Sequence, residues 1–292
     1  MEIKGCGTAL ITPFKEDQSV DYDVFRSLVK RQIDNGIHFI VPLGTTGETP
    51  CLEDDEKLRL LEISVEEAKG KVPVVAGAGS NNTKHVIGNI KEFEKTGVDA
   101  FLIVTPYYNK PTQQGMYNHF KAISECTEKK IIMYNVPART SINMNADTCL
   151  RLAELKNIVA TKEASSNYDQ INEIIRDSPE GFSVLSGNDD ETLSLCATGA
   201  KGVISVASNL APKELSGYLN LILGYDFKNA ATEHHRLMPL FRSCFVESNP
   251  TPAKAGLAFL GLIENILRPP LYPSTRKTFD IMAGTLQNLN IR

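Results

Sequence analysis

Paired cysteines, an excess of basic charge and long apolar runs are all missing from this sequence of 292 residues. Its six cysteines are scattered without a CxxC spacing, which disfavours zinc ribbons and redox motifs and favours reduced thiols. The formal net charge of −4 provides no basic surface for nucleic acid. No apolar run approaches the roughly 18 residues of a membrane helix, and the first residues lack a signal-peptide core. We therefore expect a soluble, cytoplasmic protein that binds neither nucleic acid nor membranes.

Metal and dinucleotide motifs are missing as well. The five histidines show neither an HExxH motif nor the spacing of a facial triad. No GxGxxG segment follows a predicted strand, so a dinucleotide cofactor is unsupported. The acidic run at residues 53–56 is typical of a helix N-terminus and not of a metal site. We expect no metal and no separate cofactor.

The apolar residues instead form eight short runs. These are "GTALIT", "HFIVPLG", "VPVVAGAG", "AFLIVTP", "IIMYNVP", "NIVATKE", "FSVLSG" and "KGVISVAS". Most are apolar on successive residues, as are parallel strands that are buried on both faces. Helical patterns separate the runs, such as the stripe of Val86, Ile90 and Phe93. Eight strand–helix units predict a (β/α)8 TIM barrel over residues 1–224, with a helical region over 225–292 packed on it.

The carboxyl ends of the strands form the ligand site of such a barrel. Those ends read "GTTGE", "GAGSNN", "TPYYNK", "YNVPART", "TKEAS", "SGND" and "SVASN". Lys162 ends the sixth run, and strand alternation predicts that Ile158, Ala160 and Lys162 lie on one side. Partial desolvation lowers a lysine pKa from about 10.4 and makes the amine nucleophilic. Taken alone, a strand-end lysine is more often a surface cation paired with a neighbour such as Glu163.

Three further features at the same rim suit carbonyl chemistry on anionic substrates. Tyr134 ends the preceding strand, and its phenol can donate and accept protons. Arg139 offers a planar fork for a carboxylate. The loop Gly44–Glu48 could bring backbone N–H groups to an anion, aided by the next helix N-terminus. Each has an ordinary explanation on its own: a rim tyrosine, a surface ion pair and a capped tight turn.

Taken together, these segments resemble the dihydrodipicolinate synthase family of pyruvate-dependent class I aldolases, which also contains N-acetylneuraminate lyase. The similarity is nearly end to end. It is carried by "ALITPF", "GTTGE", "GAGSNNT", "TPYYNKPTQQG", "YNVPART", "KEAS", "LSGND", "GVISVASN" and "FVESNPTPAK". The resemblance implies a Schiff-base-forming lyase that condenses pyruvate with L-aspartate 4-semialdehyde, an early step of lysine and diaminopimelate biosynthesis.

The resemblance also implies the catalytic residues. Lys162 would form the Schiff base with pyruvate, which then tautomerises to the nucleophilic enamine. Tyr134, Thr45 and Tyr108 would form a proton relay, with Tyr108 supplied by a neighbouring subunit. The family commonly forms tetramers, so a homotetramer built as a dimer of dimers is expected.

The substrate-binding residues follow from the same resemblance. Backbone groups of Thr45 and Thr46 would hold the pyruvate carboxylate. The carbonyl groups of Gly187 and Ile204 would line the site. Arg139 would bind the carboxylate of aspartate semialdehyde.

A second site departs from the pattern of the feedback-inhibited members of the family. Their inhibitory lysine binds near the positions that are here Thr49, Pro50, Asp54, Lys57, Asn81, His85 and Tyr107. Those members often carry histidines and a glutamate where this chain has Asp54, Lys57 and His85. The cation at Lys57 and the missing carboxylate at His85 predict weak or absent inhibition by lysine.

Two other functions remain compatible with the sequence. One is another aldolase of the same family, acting on N-acetylneuraminate or a keto-sugar acid. Arg139 disfavours it, since sugar-acid lyases tend to be apolar or small at that position. The other is a non-catalytic barrel that binds keto acids. A nucleophile with its relay, Lys162 with Tyr134 and Thr45, disfavours that alternative.

Overall fold

The computed structural model describes residues 3–292, and its centre is a parallel barrel. The eight strands are β1 Gly5–Ala9, β2 Phe39–Val41, β3 Val75–Gly77, β4 Ala100–Val104, β5 Lys130–Asn135, β6 Ile158–Glu163, β7 Ser183–Ser186 and β8 Gly202–Ser205. They pair in the order β2-β1-β8-β7-β6-β5-β4-β3. A parallel bridge between Ile40 and Val74 joins the two ends of this order and closes the ring. The eight predicted strands and the TIM-barrel fold are thus confirmed.

Helices surround the barrel and extend beyond it. They are α1 Tyr22–Asp34, α2 Asp54–Ala68, α3 Thr83–Phe93, α4 Gln113–Ser124, α5 Pro137–Thr140, α6 Ala146–Ala153, α7 Tyr168–Asp177, α8 Thr192–Ala197, α9 Pro212–Leu223, α10 Phe227–Ser243, α11 Thr251–Phe259 and α12 Arg276–Asn288. The apolar stripe predicted for α3 is buried as expected. At the start of α2, Glu53 and Glu56 form a capping box, so the acidic run does stabilise a helix N-terminus.

Side chains that alternate along the strands divide the core into two parts. Ala160, Leu185 and Ile204 belong to a small cluster inside the barrel, together with Tyr134. The opposite side chains join a larger cluster between the strands and the helices. This alternation places Tyr134 and Lys162, which are paired in register across β5 and β6, at the same end of the barrel interior.

One strand departs from the expected alternation. The register between β5 and β6 shifts, so that Ile131 pairs with Ile158 but Ile132 pairs with Ala160. Val159 is the extra residue of this β-bulge. Ile158 therefore packs in the outer cluster, whereas Ala160 packs inside the barrel. The prediction that both lie on the side of Lys162 was correct for Ala160 and wrong for Ile158.

In the C-terminal region α12 packs against both α10 and α11, and α10 also contacts α9. The proposed division of the chain after residue 224 falls between α9 and α10, and it stays a prediction. The helical pattern of residues 251–267 ends sooner than expected, at Phe259. Gly261 has φ of 70° and Leu262 N–H donates to Leu257 O at 3.0 Å, which is a glycine-terminated helix end. The chain then turns back along α11.

Candidate active site

Lys162 lies at the carboxyl end of β6 with 6% of its surface exposed. Its Nζ lies 4.2 Å from the centroid of the Tyr134 ring. Burial, together with the positive charge of Arg139, lowers the pKa of Lys162 to about 7, although the carboxyl of Asp189 opposes this shift. Much of the amine is therefore unprotonated near neutral pH, which a nucleophilic lysine requires.

The surface-cation alternative for Lys162 does not fit this geometry. Glu163 is its neighbour in sequence, but successive strand residues point to opposite faces. The Glu163 carboxylate accepts hydrogen bonds from Asn135 Nδ2 at 3.1 Å and from the Ser165 hydroxyl at 2.7 Å. Burial raises the pKa of Glu163 to about 7. No ion pair between residues 3 and 292 joins Lys162 to Glu163, so the amine is left facing the barrel mouth.

Tyr134 lies beside Lys162 on β5 and is hydrogen-bonded to Thr45. Burial raises the pKa of its phenol to about 12, although the charge of Arg139 acts in the other direction. The phenol therefore stays neutral at physiological pH and can both donate and accept a proton. The structure brings together three of the predicted site residues here: Lys162, Tyr134 and Thr45.

The loop Gly44–Glu48 lies at the end of β2 and forms a 3-10 turn over Thr45–Gly47. Thr49 Oγ1 donates to Gly44 O at 2.9 Å, and Thr12 Oγ1 donates to Gly47 O at 2.8 Å. The loop is thus tied down at both ends. The prediction that the next helix N-terminus aids anion binding by this loop is wrong. Helix α2 begins only at Asp54, after a second 3-10 turn.

Arg139 stands on the short helix α5 that follows β5. Its Nη2 donates to the backbone carbonyl of Asn249 at 3.2 Å. The side chain of the same asparagine donates through Nδ2 to Thr46 Oγ1 at 3.0 Å. Asn249 therefore connects the arginine to the loop Gly44–Glu48. The sequence offered no signal for this role, since Asn249 is separated from Thr46 by about two hundred residues.

Gly187 and Ile204 occupy the ends of the neighbouring strands. Gly187 N–H donates to Glu163 O at 2.6 Å, which joins the end of β7 to the end of β6. A Cβ atom at Gly187 would lie 2.6 Å from Ala164 Cβ and 2.9 Å from Glu163 O, so only glycine fits. Ile204 is fully buried in the cluster inside the barrel. Gly187 follows β7, which pairs with β6, and Ile204 lies on the next strand, β8.

Tyr108 is the predicted site residue that this chain does not bring to Lys162. It lies on the loop between β4 and α4 and is 89% exposed. Its φ of 73° is in the left-handed region, which is unusual for an aromatic residue. A side chain held this far out cannot act on Lys162 of its own chain in this conformation.

A (β/α)8 barrel with a buried, partly neutral lysine beside a neutral phenol defines a class I, Schiff-base-forming lyase. The comparisons with known proteins agree with this class. The family model of the dihydrodipicolinate synthetase family matches residues 2–289. The chain belongs to this family.

Three relatives show how complete the similarity is. A protein from Phocaeicola vulgatus named 4-hydroxy-tetrahydrodipicolinate synthase is 49% identical over 291 residues, which cover 99% of this chain and 98% of the relative. The crystal structure of dihydrodipicolinate synthase from Thermotoga maritima has a TM-score of 0.97 at 42% identity and covers 99% of both chains. The chloride-inhibited enzyme from Acinetobacter baumannii, complexed with pyruvate, has a TM-score of 0.97 at 37% identity, covering 99% of this chain and 100% of that chain.

Proposed function

We propose that this protein condenses pyruvate with L-aspartate 4-semialdehyde to 4-hydroxy-tetrahydrodipicolinate, through a Schiff base on Lys162. The observation that carries the proposal is the buried amine of Lys162, 4.2 Å from the Tyr134 ring and lowered in pKa to about 7. Family membership and the activity named for the relatives support the choice of substrates. The covalent pyruvate takes the place of a cofactor.

The first steps use the amine and the phenol. Lys162 Nζ attacks the carbonyl carbon of pyruvate and forms a carbinolamine. Tyr134 passes a proton to the departing oxygen, which leaves as water and gives the protonated imine. The Tyr134 phenolate then takes a methyl proton, which gives the enamine and restores the phenol. The hydrogen bond between Tyr134 and Thr45 supplies the return route for the proton.

The later steps need a second anion site and a leaving lysine. The pyruvate carboxylate is held by backbone groups of Thr45 and Thr46, with the strand ends at Gly187 and Ile204 closing the site. Arg139 binds the carboxylate of aspartate semialdehyde. The enamine carbon attacks the aldehyde, and the amine of the same substrate then attacks the former carbonyl carbon of pyruvate. That attack closes the ring and releases Lys162.

Arg139→Ala tests the binding of the second substrate. We expect the KM for aspartate semialdehyde to rise about 10- to 100-fold, since hydrogen bonds to charged groups contribute about 1.5–3 kcal/mol. The KM for pyruvate should change much less. Loss of the neighbouring cation should also raise the pKa of Lys162. The acid limb of the pH profile of kcat/KM for pyruvate should therefore move to higher pH.

The exposed Arg151→Ala variant, which loses a surface pair with Asp147, is the matched control. Steady-state kinetics with each substrate varied in turn, between pH 6 and pH 10, measure both effects. If Arg139→Ala raised the KM for pyruvate and left the KM for aspartate semialdehyde unchanged, the role proposed for this arginine would be wrong.

The family's inhibitory lysine site is altered in this chain. Lys57 Nζ pairs with Asp54 Oδ1 at 2.9 Å, so a cation already occupies the carboxylate that an incoming ammonium would seek. We expect weak or no inhibition when lysine is titrated into the assay, and half-inhibition by micromolar lysine would contradict this. The double variant with Lys57→His and His85→Glu should become measurably more sensitive.

The exposed Tyr108 supports an oligomer whose subunits complete each other's sites. We propose that Tyr108 of a neighbouring subunit joins Tyr134 and Thr45 in the proton relay, within a homotetramer. Sedimentation of the enzyme at its assay concentration tests this, and a fully active monomer would exclude it.

The six cysteines are all free thiols, which supports a cytoplasmic location. Within residues 3–292, every helix is too short or too polar to span a bilayer. Activity found mainly in a membrane or secreted fraction would contradict the proposed location.

A further inference from the structure

A fully buried ion pair joins the loop Gly44–Glu48 to helix α11. Lys254 Nζ lies 2.5 Å from Glu48 Oε1, and both side chains are 0% exposed. The two residues belong to the segments "GTTGE" and "NPTPAK", and the mechanism above uses neither side chain. Removing two charges from water is costly, so a buried ion pair is weak evidence for stability and calls for another explanation.

The surroundings hold this pair in one arrangement. Lys254 Nζ also donates to Ile266 O at 2.8 Å, on the segment that turns back along α11, and lies 4.1 Å from the centroid of the Phe14 ring. Glu48 Oε2 accepts from Arg268 N–H at 3.0 Å. Glu48 Oε1 has no hydrogen-bond donor between residues 3 and 292 apart from its pairing with the ammonium. Losing Lys254 would therefore leave this oxygen buried without a partner.

The pair acts on the backbone that is to bind the pyruvate carboxylate. Glu48 is in the left-handed region with φ of 53°, and its N–H donates to Thr45 O at 3.1 Å. Its side chain thus anchors the turn that contains Thr45 and Thr46. Asn249, two residues before α11, holds the same turn at a second point, through the hydrogen bond from its Nδ2 to Thr46 Oγ1.

We propose that the ion pair between Lys254 and Glu48 positions the loop Gly44–Glu48 for pyruvate. Helix α11, from the C-terminal region, then sets the direction of the N–H groups that bind the pyruvate carboxylate. Both are positioning residues, since neither side chain reaches the substrate. The inference rests on the proposed function, in which pyruvate binds at Lys162 beside this loop.

The variants Glu48→Gln and Lys254→Met remove one charge each, and the double variant removes both. Each single variant should raise the KM for pyruvate about tenfold or more, because displacement of a binding group by about 1 Å can cost about a hundredfold. The KM for aspartate semialdehyde should rise less than the KM for pyruvate, since Arg139 is joined to the loop only through Asn249. The double variant should recover part of the loss, because no charge is left buried alone.

The control is Asp280→Asn, which changes α12 of the same C-terminal region without touching the loop. Asp280 Oδ1 accepts from Arg276 Nε at 2.8 Å, and both side chains are exposed. Loss of this pair should lower the urea midpoint slightly and leave the KM for pyruvate within about twofold. If all variants lost stability while the KM for pyruvate stayed the same, the pair would be structural only and the inference would fail.

A measurement on the wild-type enzyme covers the case in which the single variants do not fold. Hydrogen exchange is followed by mass spectrometry with and without pyruvate. Pyruvate should protect the amides of α11 as well as those of the loop, because the pair couples them. Protection confined to the loop would overturn the inference.

Trapping with borohydride separates this inference from the proposed function. If the wild-type enzyme fails to trap pyruvate on Lys162, the proposed function is wrong. If it traps pyruvate and the single variants need no higher pyruvate concentration for half-maximal trapping, only the positioning role is wrong.

Discussion

Lys162→Ala should lower the rate of condensation by about a thousandfold or more, because the amine proposed to form the covalent intermediate is lost. The same variant should trap no pyruvate when it is treated with borohydride. The exposed Lys156, in the turn before β6, gives the matched control. Lys156→Ala should keep full activity. If Lys162→Ala kept an appreciable fraction of wild-type activity, the Schiff base would have to lie elsewhere.

The stability of Lys162 variants gives an independent check on the burial of the amine. The folded pKa of about 7 lies below the usual value near 10.5, so the folded state binds fewer protons than the unfolded state between these two pH values. Native stability is therefore lost as the pH falls from about 10.5 to about 7. Lys162→Met removes this penalty, and it should be more stable than the wild type at pH 7 but not at pH 11. Thermal unfolding at the two pH values measures the difference.

Tyr134→Phe should lower kcat by about a hundredfold or more, since general acid–base catalysis contributes about 10²- to 10⁴-fold. The ring still packs beside Lys162, so the fold should be unaffected. Pyruvate should still be trapped by borohydride after long incubation, because the amine remains. Turnover should fall further than trapping, because each cycle needs several proton transfers.

Tyr218→Phe is the matched control for this change. Tyr218 is also a buried tyrosine, but it lies on α9, outside the barrel. Its hydroxyl lies 3.0 Å from Nδ1 of His234 on α10. Its loss should cost some stability without lowering kcat. If Tyr134→Phe turned over as fast as Tyr218→Phe, the phenol would not be the relay.

The sequence predicted the parts of the site that depend on short-range patterns. The run "NIVATKE" indicates a buried strand, and a cation at its end must leave through the barrel mouth, which places Lys162 correctly. The same reasoning places Tyr134 beside it, because neighbouring parallel strands end at the same edge. Strand alternation failed at Ile158, because a β-bulge depends on the pairing of β5 with β6 and not on β6 alone.

Contacts between distant segments could not be predicted. Asn249 links Thr46 to Arg139, and Lys254 pairs with Glu48. In both cases a residue after the barrel meets a loop from the first quarter of the chain. No local sequence pattern predicts such a contact, because the contact depends on how the C-terminal helices pack on the barrel. The pKa of Lys162 depends in the same way on distant segments, since it follows from burial and from the charges of Asp189, after β7, and Arg139, on α5.

The most direct test of the proposed chemistry is proton NMR of the purified enzyme with pyruvate and aspartate semialdehyde in deuterated buffer. We predict that both substrates are consumed together, and that pyruvate alone exchanges its methyl protons through the enamine on Lys162. Exchange without consumption of aspartate semialdehyde would contradict the proposed acceptor and favour a keto-sugar acid. No exchange at all would contradict the Schiff base itself.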